Sequence, residues 1–211
     1  MSGRGNGDRI LLVLSVLVGA VLLWSGWHPR DRFTWFLEVA PVLVAWPLLA
    51  LTRRRFRFTT LVYVLLAAHM AVLMVGGKYT YAEVPLFNWL RDAFDLSRNY
   101  YHRVGHVFQG FVPALVAREV LVRKSVVRRG AWLFFIVTCI CLAVSACYEF
   151  VEWGVAVATG TAAEAFLGTQ GDVWDTQWDM FLALVGALCA QALLARWQDR
   201  QMARMSSVAP Q

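Results

Sequence analysis

Charge is scarce in this chain. Asp and Glu number 14 and Lys and Arg 20 among 211 residues, so charged residues make up 16% of the whole, against about a quarter in soluble domains. Cysteine is limited to Cys139, Cys141, Cys147 and Cys189, all inside apolar runs and none in a C-x-x-C pair. That excludes a disulfide scaffold and leaves small, soft packing residues. There is no Walker loop, no G-x-S-x-G and no dinucleotide fingerprint. Internal repeats and low-complexity tracts are also missing. No basic stripe is interleaved with aromatics on a soluble face, so the net charge of +6 is no nucleic-acid footprint.

What is present is apolar. Hydrophobic residues make up 59% and aromatics 14%, and the mean hydropathy is +0.52. A disordered chain is excluded, and an ordinary cytosolic enzyme fits poorly. Six stretches qualify as membrane spans, at about 10–27, 33–51, 59–76, 102–122, 131–158 and 178–197. The expected fold is all-α: a single integral membrane domain over residues 1–211, built as a six-span helix bundle. Pro41, Pro47 and Pro113 fall inside spans, where neighbouring helices can satisfy the freed carbonyls.

Fourteen of the 20 basic residues lie before the first span, between the second and third, between the fourth and fifth, and after the sixth. With six spans these segments share one side, so the positive-inside rule puts both termini in the cytoplasm. Arg9, the apolar run after it and the small residues Ala20 and Gly26 imitate a secretory signal, but the expected reading is an uncleaved first span. Between Lys78 and Tyr101, Pro85, Leu86, Phe87, Trp89, Leu90, Phe94 and Leu96 alternate with charges, as in a short helix lying in the interface.

Ionisable groups inside a bilayer are costly, and here they gather at one depth. His102 and His106 open the fourth span at its outer end, with Gln109 on the same face. Glu149 and Glu152 share a face of the fifth, and Asp172, Asp175 and Asp179 lead into the sixth. His69 and Glu38 lie in outer halves of their spans, and the inner halves hold almost nothing comparable. Two imidazoles one turn apart can ligate one metal, and carboxylates from facing helices complete such sites in metal bundles. The expected divalent-metal ligands (Zn, Mn or Fe) are His102, His106, Glu149, Asp175 and Asp179. Glu152 is the expected general base, and Arg103 the residue that holds an anionic headgroup. Blander readings stand beside these: Asp172 as a helix N-cap, His69 as a helix–helix contact, and Arg103 as the centre of a structural ion-pair network.

Three segments carry a resemblance: Arg98-Asn99-Tyr100-Tyr101-His102-Arg103-Val104-Gly105-His106; Tyr148-Glu149 with Glu152-Trp153; and Phe166 through Asp175 with Asp179-Met180. Together they resemble the YjdF-like family of bacterial inner-membrane proteins, over about residues 35–195. The resemblance implies a multi-pass protein of the bacterial cytoplasmic membrane and says little about chemistry. A fainter resemblance is to VanZ-like membrane proteins, through Arg103 to His106, Glu149, Asp175 or Asp179, and Gly186.

The leading expectation is a metal-dependent hydrolase or transferase acting on a lipid or lipid-linked envelope substrate. The alternatives are an ion- or proton-coupled transporter and a non-catalytic envelope accessory or resistance factor. The topology is directly testable. A reporter fused after Arg204 should be active only in its cytoplasmic format, and one inserted near Glu164 only in its exported format. A periplasmic C-terminus would overturn the common depth of the polar residues.

Overall fold

The computed structural model describes residues 2–160 and 164–206, all helix and turn. The helices are α1 (Ser2–Gly26), α2 (Arg32–Thr52), α3 (Thr60–Tyr79), α4 (Pro85–Ala93), α5 (Tyr101–Arg123), α6 (Ala131–Thr159), α7 (Glu164–Leu167) and α8 (Asp175–Ser206). Apolar runs become helices because in lipid each backbone N–H and C=O must find a partner within its own segment. Local signals set the ends. The Asp31 carboxylate accepts from Thr34 N at 2.6 Å to start α2, and Thr59 caps α3. Thr80, at φ 56°, turns the chain out of α3.

α1, α2, α3, α6 and α8 are long and apolar enough to cross a membrane. The expected fourth span, α5, falls short of that apolarity although it has 23 residues. It holds buried His102, Arg103, His106, Arg118 and Glu119, and α3, α6 and α8 pack around it. Two helices outrun the expected bounds. α1 begins at Ser2 rather than Ile10, and α8 runs from Asp175 to Ser206 rather than from Trp178 to Trp197, because polar and basic residues continue the helix past the apolar run. α4 buries none of its residues, and its Leu86 and Trp89 are exposed, as suits an interfacial helix.

Contacts divide the bundle into two ends. Asp8 pairs with Arg57, Arg123 donates to the Arg57 carbonyl, and Arg118 and Arg129 both pair with Asp199. This is the basic end, which gathers the start of α1, the 2–3 and 5–6 connections and the far part of α8. At the opposite end Lys78 donates to the carbonyls of Trp24 and Trp27, and Arg98 reaches Asp172 and Asp175. One apolar cluster joins α3, α5, α6 and α8 through Leu61, Val62, Leu115, Val137, Cys141 and Ala187. A second joins α1, α2 and α3 through Val18, Val39, Val42, Met70 and Met74.

The closest contact lies between α5 and α8. A Cβ placed on Gly110 would overlap the Ala183 carbonyl, and one on Gly186 would overlap the Val107 carbonyl. Ala114, Ala183, Ala187 and Ala190 are fully buried beside them. Small residues are how membrane helices bring backbones together.

One sequence expectation is corrected at the basic end, where the inner halves of the helices are far from empty. Glu119 is fully buried and accepts from Thr59 N, Thr59 Oγ1, Arg123 and Gln198 at 2.8, 2.7, 2.8 and 3.3 Å. Arg118 donates to Gln198 and twice to Asp199. These residues fall at the expected boundary of the fourth span, where polar groups read as an ordinary helix end. Gly186→Leu should unfold the α5–α8 contact, costing about 3 kcal/mol or more because backbone cannot yield as a side chain does. A melting temperature in detergent equal to wild type would refute the close-packed contact.

Candidate functional site

The buried stripe of α6 reads Leu133, Val137, Cys141, Ser145, Glu149, Glu152, changing from apolar to acidic away from the basic end. α5 turns His102 and His106 toward that acidic stretch, and α8 delivers Asp175 and Asp179 from the other side. All six polar residues are buried, as is Arg103.

Ligand atoms of His102, His106 and Asp179 lie within 4.8 Å of one another. The two Nε2 atoms are 3.2 Å apart, and His106 Nε2 is 3.5 Å from Asp179 Oδ2. Four ligands placed tetrahedrally around zinc at its usual bond lengths would be about 3.3–3.6 Å apart. His106 Nδ1 lies 2.9 Å from Gln109 Oε1, which also accepts from Ser145 Oγ at 3.3 Å. With the amide oxygen so assigned, Nδ1 carries the His106 proton and Nε2 keeps its lone pair for the cluster, the tautomer that second-shell acceptors impose on ligating histidines. Glu149 Oε1 stands 4.0 Å from His106 Nδ1.

Asp175 is held differently. Its Oδ1 accepts from Arg98 at 2.8 Å and from Arg103 at 2.7 Å, while Oδ2 lies 3.7 Å from His102 Nδ1. Arg103 spans three carboxylates, donating to Asp179 Oδ1 at 2.7 Å and Asp172 Oδ2 at 2.8 Å as well. The planar fork therefore sets Asp179 with Oδ1 on the guanidinium and Oδ2 toward the histidines. The stripe expected for Asp172, Asp175 and Asp179 holds for the last two only. α8 begins at Asp175, and Asp172 sits in the preceding turn, where Oδ1 accepts from Trp174 N.

Buried polar atoms without a hydrogen-bond partner gather at this place. Among the described residues they include His102 Nδ1, Glu149 Oε1, Glu152 Oε1 and Asp179 Oδ2. Such atoms are uncommon in folded proteins, and each calls for a ligand, a proton or water. Among the described residues, Asp172, Asp175 and Asp179 pair here with Arg98 and Arg103, while Glu149 and Glu152 pair with no arginine or lysine.

Two openings border this region, one at the arginines and one at the histidines. A cleft of about 540 Å³ runs past Arg98, Arg103, Gln170, Asp172, Trp178 and Leu182. On the other side a cavity of about 170 Å³ is bordered by Glu38, His69, Tyr81, His102, His106 and Glu152, among others. Glu38 and His69, left outside the expected ligand set, border this cavity, and the Tyr148 hydroxyl donates to Glu38 at 3.4 Å. Gln109 was placed on the histidine face but given no role, and Arg98 and Tyr81 were given no place in the site. Arg98 lies in a loop before its helix, and Tyr81 just beyond one.

The family described as "Predicted membrane protein (DUF2238)" matches residues 10–200. The chain belongs to that family. It is 48% identical over 199 residues to the "Inner membrane protein YjdF" of Escherichia coli (strain K12), covering 94% of this chain and 95% of that protein. No solved structure matches. Family and apolar helices together make this a multi-pass protein of the cytoplasmic membrane.

Arg103 carries the site's architecture. Arg103→Leu should leave three carboxylates around one remaining guanidinium and cost about 3–5 kcal/mol. Arg103→Lys should fall between that variant and wild type, because one ammonium cannot span three carboxylates as the fork does. Equal melting temperatures for all three proteins would show that the network contributes nothing to the fold.

Proposed function

We propose that His102, His106 and Asp179 hold a divalent cation, with Glu149 the next donor, in a membrane hydrolase or transferase. The substrate class is a lipid or lipid-linked envelope molecule. The observation that carries this reading is the convergence of the three ligand atoms on one buried point, two of their contacts at coordination-polyhedron spacing. Both termini face the cytoplasm in this reading, so the site lies near the outer surface.

Two imidazoles and a carboxylate suit zinc, manganese or iron. Such an ion would supply Lewis acidity and activate water at neutral pH. The chain's own groups do the rest. Gln109 fixes the His106 tautomer, and Arg103 orients Asp179 and borders the cleft in which an anionic group would dock. Asp175, tied to two guanidiniums, supports His102 from 3.7 Å and is an outer member of the set. Glu152 borders the same cavity as both histidines, with an oxygen free to take a proton.

A cation- or proton-coupled transporter would draw on the same excess of buried carboxyls. The position of the cluster at one end of the bundle, away from the midplane where transport sites form, favours hydrolysis or transfer. A purely structural role for the cluster leaves its unpartnered atoms unexplained.

Protein purified in detergent should contain close to one divalent ion per chain, and a chelator should lower its melting temperature. His106→Ala should reduce metal affinity at least tenfold, the size of effect that even supporting residues produce, and should abolish the chelator response. Wild-type protein that binds no metal on titration, and melts identically with and without chelator, would end the metal reading.

A further inference from the structure

The 170 Å³ cavity has a direction. At one end stand Glu38, Tyr81, Glu152 and His102, and the walls run past Leu73, His106, His69 and Gln109 to Pro113 and Val144. From His102 to Pro113 it follows about 16 Å of α5, given the rise of an α-helix. That is about half the hydrocarbon thickness of a bilayer, the depth of one leaflet. The cavity therefore spans about one leaflet, its apolar walls interrupted by His106, His69 and Gln109.

Its side wall is incomplete. α2 packs on α3, and α6 packs on α5 and α8, while α2 and α6 scarcely touch each other. Val144 borders the cavity and is still 44% exposed, on a helix whose exposed residues are apolar. The polar end, by contrast, is covered. α7 packs against both α2 and α6, Phe166 is 2% exposed, and a Cβ on Gly168 would lie 3.6 Å from the His102 ring. The hydrogen bond from Tyr148 to Glu38 crosses from α6 to α2 just inside. The opening thus faces sideways, toward lipid.

We infer that the slot between α2 and α6 admits one acyl chain of a glycerophospholipid from the bilayer and presents its polar head to the His102–His106–Asp179 cluster. Pro41, Leu73, Pro113 and Val144 give it apolar walls that suit an acyl chain, and the small volume holds a segment of one chain rather than two chains. The cleft beside Arg98 and Arg103 is a separate opening, lined by the arginines that hold Asp175 and Asp179. This inference rests on the hydrolase or transferase reading for what happens to the head, and on the slot alone for the binding of the tail.

The test uses the full chain in phosphatidylethanolamine and phosphatidylglycerol vesicles doped with a phosphatidylethanolamine carrying a diazirine near one acyl terminus. After irradiation, the labelled peptides are mapped by mass spectrometry, with metal per chain measured on the same samples. Label should concentrate on peptides containing Leu73, Pro113 and Val144. Val144→Trp and, from the opposite wall, Leu73→Trp should each lower it at least fivefold, leaving label on the lipid-facing side of α1 unchanged. Unchanged α1 label also reports that each variant is folded and inserted, and either variant suffices. Label spread evenly over all lipid-facing helices, or unaltered by a folded variant, would overturn the inference. Neither residue is a metal donor. Loss of slot labelling in either variant with metal retained therefore supports the slot independently of the metal, whereas concentrated wild-type labelling without metal would sink the metal reading and leave the slot standing.

Discussion

The backbone contact between α5 and α8 is the constraint on which the rest depends. Gly110 against the Ala183 carbonyl and Gly186 against the Val107 carbonyl bring the two helices as close as helices come. Only at that separation does the Arg103 fork reach Asp172, Asp175 and Asp179 at once, and only then does Asp179 fall beside both histidines. In lipid no hydrophobic effect drives helices together, so van der Waals contact and charge-assisted bonds must do it. Here the first positions the second.

The two polar ends of the bundle answer different purposes, and their bookkeeping separates them. At the basic end Glu119 accepts from four donors, and Arg118 shares its nitrogens between Gln198 and Asp199. A buried network satisfied in this way fastens helices together. At the other end Arg103 is shared among three carboxylates, yet Arg98 Nε, one oxygen each of Glu149, Glu152 and Asp179, and His102 Nδ1 lack partners. A fold that completes one buried network and leaves another open at the same cost per group favours a ligand at the second.

Much of this was legible in the sequence, for identifiable reasons. The i, i+4 spacing of His102 and His106 and the i, i+3 spacing of Glu149 and Glu152 survive folding because a helix fixes them without tertiary help. The class of the protein followed from apolar runs and the placement of arginine. What the sequence hid depends on three-dimensional pairing. The division of Asp175 from Asp179, one tied to two guanidiniums and the other turned to the histidines, is set by where α8 starts and by a loop residue, Arg98. Glu119 was passed over because a carboxylate near a helix end gives no sign that, besides Arg123 on its own helix, donors from two other segments await it. The slot between α2 and α6 arises from helices that do not touch, which no local pattern encodes.

The composition of α5 bears on how the protein is made. With three arginines, a glutamate and two histidines, this helix partitions into lipid poorly by itself, since ionised side chains oppose release from the insertion machinery. Its counter-charges at Asp175, Asp179 and Asp199 belong to α8, which leaves the ribosome only after α5 and α6. Until then α5 must remain sheltered beside α3 and α6 or in the translocon. The most polar helix therefore depends on one made after it, and a chain truncated before α8 would leave α5 stranded.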